Sequence, residues 1–223
     1  MADDVLLGID QGTTGTRVVA YDRGLRRLAE AYRRTPVEHP RPGWIEKDAD
    51  LVVRSVEDAV GEVVSAVGGG GRIAAVGLDN EGETVVAWDA ESLRPLAPAI
   101  VWGCRRSQPI VDRLHALGAE ARIRAVSGLP LDPYFSSTKL RHLLEEHAAV
   151  ADAARDGSLR VGTLDAYVTA RLGDGAMTDT STASRTQLQA LRRPGRWDAE
   201  LLDAFDLEAG WLPRIVDSTG DLG

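Results

Sequence analysis

Residues 9–21 read IDQGTTGTRVVAY, an aspartate at the end of one apolar run, a Gly/Thr loop, and then a second apolar run. These residue types suit the handling of phosphate. Tight Gly/Thr turns gather backbone N–H groups into a concavity that binds anions. Thr13, Thr14 and Thr16 add hydroxyl donors, and Arg17 can add a charge-assisted hydrogen bond. Asp10 stands where it can orient a hydrated Mg2+, an ion that favours carboxylate, water and phosphate oxygens. The loop lacks the Gly-Lys-Ser/Thr ending of a P-loop, and a strand pattern follows it where a helix would be needed. Phosphate binding by a helix N-terminus therefore does not apply. Taken alone, the stretch reads equally as a plain hairpin turn, with glycine for backbone freedom and threonine for strand propensity.

The elements that must hold this loop follow from periodicity. Residues 5–9 form a short continuous apolar run, expected as a buried strand. Residues 16–22 and 28–37 supply two more strands, the first joined to its predecessor by the glycine loop. A helix is expected from Asp50, with Val52, Val56, Val60, Val63, Val64 and Val67 mostly on one face. The Gly68–Gly71 run ends it. Residues 73–78 are a further buried strand, and 84–88 and 99–102 two more. Helical patterns cover 107–117, 138–154 and 163–172, with a short helix in DAELLDAFDL and a largely irregular end. The order β, β, β, α, β is mixed α/β and does not begin with the βαβ unit of a dinucleotide fold.

Composition narrows the partners. The 223 residues fit one large domain or two small ones and are enough to bury a core. A formal net charge of −8 argues against a nucleic-acid or anionic-membrane surface, since both partners are polyanions. Lys47 and Lys139 are the only lysines, so arginine carries nearly all the positive charge. Cys104 is the only cysteine, which excludes an intramolecular disulfide. No apolar run approaches the ~18 residues of a membrane span, and the N-terminus has no signal-peptide pattern. A cytoplasmic protein is expected.

The loop does not stand alone. LLGIDQGTTGTRVVAYD closely resembles the phosphate loop of the FGGY carbohydrate kinases, and of the glycerol kinases in particular. HPRPGWIEKD resembles the segment before that family's first helix, and IAAVGLDNEGETVVAWD its first substrate-contacting strand and loop. AIVWGCRRS, GLPLDPYFSSTKLRHLLE, VGTLDAYVTARL and TDTSTASRTQL resemble later blocks, in the same order. The resemblance runs across almost the whole chain. It implies a ribonuclease-H-like, actin-type α/β domain with a mixed sheet, the first of two such domains in the family. It also implies transfer of a phosphoryl group from ATP, with Mg2+, to a hydroxyl of a polyol or sugar. Such catalysis is mostly positioning and charge neutralisation.

Roles carried over by the resemblance fall on matching residues only. Asp10 corresponds to the aspartate near the metal and the transferred phosphate, and Thr13, Thr14 and Arg17 to phosphate-loop contacts. Glu83, Trp102 and Tyr134 align with positions that contact the polyol in glycerol kinases. The chemistry is apt: a carboxylate accepts hydrogen bonds from adjacent hydroxyls, and aromatic rings give the carbon backbone a flat wall. Taken singly, Glu83 also reads as a solvated loop charge, Trp102 as strand core and Tyr134 as a packed turn aromatic. His115, His142 and His147 lack metal spacing. Cys104 reads as a structural thiol, and Asp165 as a residue serving the fold. For Arg105 and Arg106, capping, pairing and facing the site all stay open.

Two departures from the family bear on function. Glycerol kinases typically carry Asn-Gln-Arg-Glu-Thr where this chain has Asn80-Glu81-Gly82-Glu83-Thr84. Gly82 thus removes a guanidinium that helps hold glycerol's hydroxyls, a loss on the order of 1.5–3 kcal/mol unless something replaces it. The vacated space favours a polyol or sugar longer than glycerol. Second, the family's catalytic aspartate, in a Gly-Asp-Gln-like segment, and its nucleotide-binding C-terminal domain are expected beyond the 223 residues. Asp217 and Asp221 do not sit in the matching motif. The whole of 1–223 is accordingly read as the N-terminal, substrate-binding domain, inactive by itself. The alternatives are a non-catalytic sugar-binding or regulatory module and a dimerisation unit, since members of the family often form homo-oligomers. A ketopentose kinase is a more distant enzyme alternative.

Overall fold

The computed structural model describes residues 4–220. In chain order its strands are β1 (Val5–Gln11), β2 (Gly15–Tyr21), β3 (Arg27–Arg34), β4 (Glu46–Lys47), β5 (Ile73–Asn80), β6 (Val85–Asp89), β7 (Ala99–Ile100), β8 (Leu159–Thr163), β9 (Met177–Asp179) and β10 (Arg214–Val216). The helices are α1 (Ala49–Ala66), α2 (Gln108–Ala116), α3 (Glu120–Ser127), α4 (Ser136–Glu146), α5 (Ala148–Asp156), α6 (Leu164–Leu172), α7 (Thr180–Ser184) and α8 (Ala199–Ala204). The chain divides into two compact units. One holds the residues up to Val37 with Asp48–Glu81, the other Glu38–Lys47 with the residues from Gly82 on.

The first unit is a four-stranded mixed sheet, ordered β3-β2-β1-β5, with α1 against it. β1 pairs antiparallel with β2 and parallel with β5. Strand alternation sends Val5, Leu7, Val18, Ala20 and Ala31 to one face, where they meet Ala59 and Val63 of α1. Asp48 caps α1, its carboxylate accepting from the Leu51 N–H at 3.1 Å. Past Val67 the chain turns through Gly68 and Gly69, both at positive φ, as the glycine run leads one to expect.

β5 departs from its sequence. Apolar throughout, residues 73–78 were expected to be buried. They do form a strand, but it lies at the sheet edge, and Ala74, Ala75, Val76 and Gly77 are exposed. No strand among the described residues pairs with its outer edge.

The second unit centres on an antiparallel sheet ordered β4-β7-β6-β8. Val85, Ile100, Val161, Leu140, Leu143 and Val150 belong to its core. On Trp88 lies Tyr167 of α6, with ring centroids 5.5 Å apart and the phenol donating to the Leu93 carbonyl. The single helix expected over 138–154 is two. His147 is extended, and its carbonyl accepts from the N–H groups of Val150 and Ala151, so it ends α4 and starts α5. The irregular end contains β10, paired parallel with β9.

Candidate active site

In the first unit, β1 delivers Asp10 to the end of the strand with its side chain exposed. Its register partners are Arg17 on β2 and Asp79 on β5. The loop between is closed by a Gly12 N–H to Gly15 carbonyl hydrogen bond of 2.9 Å. It is also fastened to the end of β3, where the Thr14 carbonyl accepts from the Thr35 N–H at 3.0 Å and from the Tyr32 hydroxyl at 3.1 Å. Among the described residues, the Thr14 N–H and hydroxyl have no protein partner. Gln11 Oε1 and Asn80 Oδ1, at the ends of the paired strands β1 and β5, are buried acceptors without a hydrogen bond. An exposed carboxylate, unengaged Thr14 donors and unmet acceptors are a donor set that fits a hydrated divalent cation and a phosphate.

Thr16 and Arg17 both have partners within the sheet and helix of this unit. Thr16 is fully buried, and its hydroxyl lies 2.6 Å from that of Ser55 on α1. The strand has already begun at Gly15, so this hydroxyl serves the sheet-to-helix contact and not the loop. Arg17 is on the same hairpin as Asp10 and exposed, but its guanidinium pairs with Glu30 of β3 and lies 5.7 Å from the Tyr32 ring centroid.

In the second unit, Gly82, Glu83, Trp102 and Tyr134 come from three separate stretches of chain. Glu83 is only 7% exposed. Its carboxylate accepts from Arg185 Nε at 2.8 Å, and its backbone carbonyl from the Ser136 hydroxyl at 3.4 Å. Trp102 follows β7, and its N–H is held by Thr84 Oγ1 at 3.1 Å. Tyr134 sits in a turn closed by Asp132, which accepts the Tyr134 N–H at 2.8 Å. The indole and phenol meet edge to face with centroids 5.6 Å apart. A side-chain atom built at Gly82 would find nothing within 4 Å. The arrangement is a buried carboxylate linked through Arg185 to Tyr134, whose ring meets that of Trp102, with open space at the neighbouring Gly82.

The turn bearing Tyr134 is pinned from within. Lys139, fully buried on α4, donates through Nζ to the Tyr134 carbonyl and, at 3.1 Å, to that of Phe135. Burial pulls its ammonium down to about 7, against the pull of Cys104, Glu83 and Asp132.

The description "FGGY family of carbohydrate kinases, N-terminal domain" matches residues 5–223. The chain belongs to this family. It is 37% identical to the glycerol kinase of Shewanella pealeana, over all of this chain and 46% of that protein. It is 38% identical to the glycerol kinase of Gluconobacter oxydans, over 99% of this chain and 43% of the relative. The fold superposes on glycerol kinase from Plasmodium falciparum, solved with ADP, with a TM-score of 0.91. That match has 26% identity and covers 99% of this chain and 44% of the other. The chain thus spans less than half the length of each of these relatives, and its fold is that of the solved sugar-kinase domain.

Within this FGGY domain the remaining candidates find structural places. Cys104 is buried, its sulfur accepting from the Ile45 N–H at 3.3 Å and Arg106 Nε at 3.1 Å. Arg106 pairs with Glu46 at 2.6 Å and lies 4.0 Å from the Trp44 ring centroid, whereas Arg105 is exposed and bonds Gln108 at 3.2 Å. Asp165 is buried, takes a 2.7 Å hydrogen bond from Thr178, and is pushed above the usual carboxylate range by burial. His115 lies 3.2 Å from Glu120. The rings of His142 and His147 meet edge to face with centroids 6.3 Å apart. Asp217 is exposed after β10, and Asp221 lies outside the described residues.

Sequence reasoning missed Arg185 and Lys139 as site residues. For Arg185 a signal existed: it is the only basic residue in TDTSTASRTQL. For Lys139 the only hint was its rarity.

Proposed function

We propose that this chain is the substrate-binding part of an ATP-dependent kinase that phosphorylates a hydroxyl of a polyol, with glycerol-like substrates. The observation that carries the reading is the buried Glu83 carboxylate, bridged by Arg185 to the Tyr134 ring on which Trp102 packs. A carboxylate withdrawn from water gains most by accepting hydrogen bonds from a ligand's hydroxyls, and the rings offer an apolar wall to its carbons. The identity to glycerol kinases supports the same substrate class. For the nucleotide, Asp10 would hold Mg2+ and the amides and hydroxyls of Thr13 and Thr14 would take the phosphates. Mg2+-ATP, when bound, supplies the phosphoryl group and neutralises its charge. The chain's own residues orient the polyol, exclude water from its carbon face and present donors to the phosphates.

The test is calorimetric titration of the chain with glycerol, erythritol, xylitol, arabitol and ketoses, alongside ATP consumption. We expect saturable binding of polyols, weaker binding of ketoses, and negligible ATP turnover by these 223 residues alone. Absence of polyol binding overturns the substrate assignment. Robust polyol-dependent turnover overturns the expectation of an inactive chain.

A further inference from the structure

Arg185 stands at the C-terminal cap of α7, with its N–H bonded to the Thr182 carbonyl at 2.9 Å. Asp179 caps the other end of that helix. The next residues are fixed as well: the Thr186 carbonyl accepts from the Ser137 N–H at 3.0 Å, and Gln187 accepts from the Ser137 hydroxyl at 2.8 Å. The backbone that carries Arg185 is therefore braced on both sides. Its side chain runs to Glu83, with Nε 2.8 Å from the carboxylate. The guanidinium carbon lies 5.9 Å from the Tyr134 ring centroid and 5.2 Å from that of Phe135.

Arginine has five N–H donors. Glu83 takes one through Nε, and the side chain remains 42% exposed, so donors are left over at the edge of the site. Gly82 offers no donor and leaves open space. The missing guanidinium is thus matched by one arriving from a residue 102 positions beyond Glu83.

We infer that Arg185 is the specificity-determining donor of the polyol site: it holds Glu83 in place and donates directly to substrate hydroxyls. This rests on the polyol reading above. The division of labour has a consequence for substrate length. A guanidinium from position 185 leaves the space at Gly82 free for a further carbon and its hydroxyl, where an arginine side chain at 82 would fill it. The site then accepts four- and five-carbon polyols as well as glycerol.

The experiment titrates glycerol, erythritol and xylitol into the wild-type chain, R185K, R185Q, G82R and the R185Q/G82R double variant, with thermal unfolding of each as the control for folding. For R185Q we expect affinity for every polyol to fall about tenfold or more, the size of a lost charged hydrogen bond. R185K should lose less, because an ammonium keeps the charge but not the fork. The double variant should regain glycerol and not xylitol, and G82R alone should lose xylitol preferentially. Equal polyol affinities for wild type and R185Q overturn the inference. So does R185K falling as far as R185Q together with a lowered unfolding midpoint in both, which marks a purely structural arginine. A wild-type chain that binds no polyol removes the reading on which the inference rests.

Discussion

The indole of Trp102 and the phenol of Tyr134 meet edge to face, 5.6 Å between centroids and inclined at 61°. Trp102 is nonetheless 37% exposed, an unusual state for an indole whose N–H-bearing backbone is already fixed by Thr84. Its exposed part offers apolar surface to a ligand's carbons. We expect Trp102→Ala to weaken polyol binding by roughly threefold to tenfold, the worth of an aromatic contact. The unfolding midpoint should fall as well, because most of the residue is buried and its ring packs on Tyr134. Trp102→Phe should keep most of the affinity. Calorimetry and thermal unfolding on the same samples separate the two effects. Unchanged affinity in Trp102→Ala would remove the ring from the site.

The two glycines of the loop between β1 and β2 are not equivalent. A Cβ at Gly15 would fall 2.6 Å from the Arg33 carbonyl oxygen and closer still to the Tyr32 hydroxyl. The carbonyl belongs to β3 and cannot step aside without parting the sheet. A Cβ at Gly12 would sit 3.5 Å from the Gly15 carbonyl and 3.8 Å from the Asp10 carboxylate, ordinary contacts. We therefore expect Gly15→Ala to cost about 1–3 kcal/mol, as overpacking does, and Gly12→Ala to stay within about 0.5 kcal/mol. Urea unfolding monitored by circular dichroism gives both values. Equal costs would mean that the approach of β3 to the loop does not limit residue 15.

Much of this was legible because it is local. The alternation of Val5 and Leu7, the valine stripe of α1 and its ending at Gly68 follow from periods of two and 3.6 and from glycine's freedom at positive φ. The failures are of another kind. The run 73–78 reads as buried because parallel strands usually are, but apolar composition does not say which strand is the edge. Thr16 looks like a loop donor until its place on β2, opposite Gln11 of β1, turns it toward Ser55. His147 breaks a helical pattern with neither glycine nor proline to announce it. Arg185 reaches Glu83 only through the tertiary fold, so no window of sequence contains both.

His142 offers a pH-dependent test of the second unit. Its ring is buried edge-on against Trp44, with centroids 5.8 Å apart, and Nε2 has no hydrogen bond. Burial lowers its pKa from 6.5 to about 4, helped by the charge of Arg106 and by His147, while Glu145 and Glu146 pull the other way. Between those values the unfolded chain binds a proton that the folded chain refuses. Stability from this group is therefore complete above pH 6.5 and is lost as pH falls toward 4. At about 1.4 kcal/mol per unit, the loss reaches on the order of 2–3 kcal/mol. His142→Phe keeps an aromatic ring against Trp44 and gives up no hydrogen bond, so near neutrality it should unfold at similar or higher urea. Its stability relative to wild type should stay level above pH 6.5 and rise steadily as pH falls below it. The comparison cancels the carboxylates that titrate in the same range, since both proteins carry them. Parallel pH curves for the two proteins would show that His142 takes up its proton without penalty in the folded state.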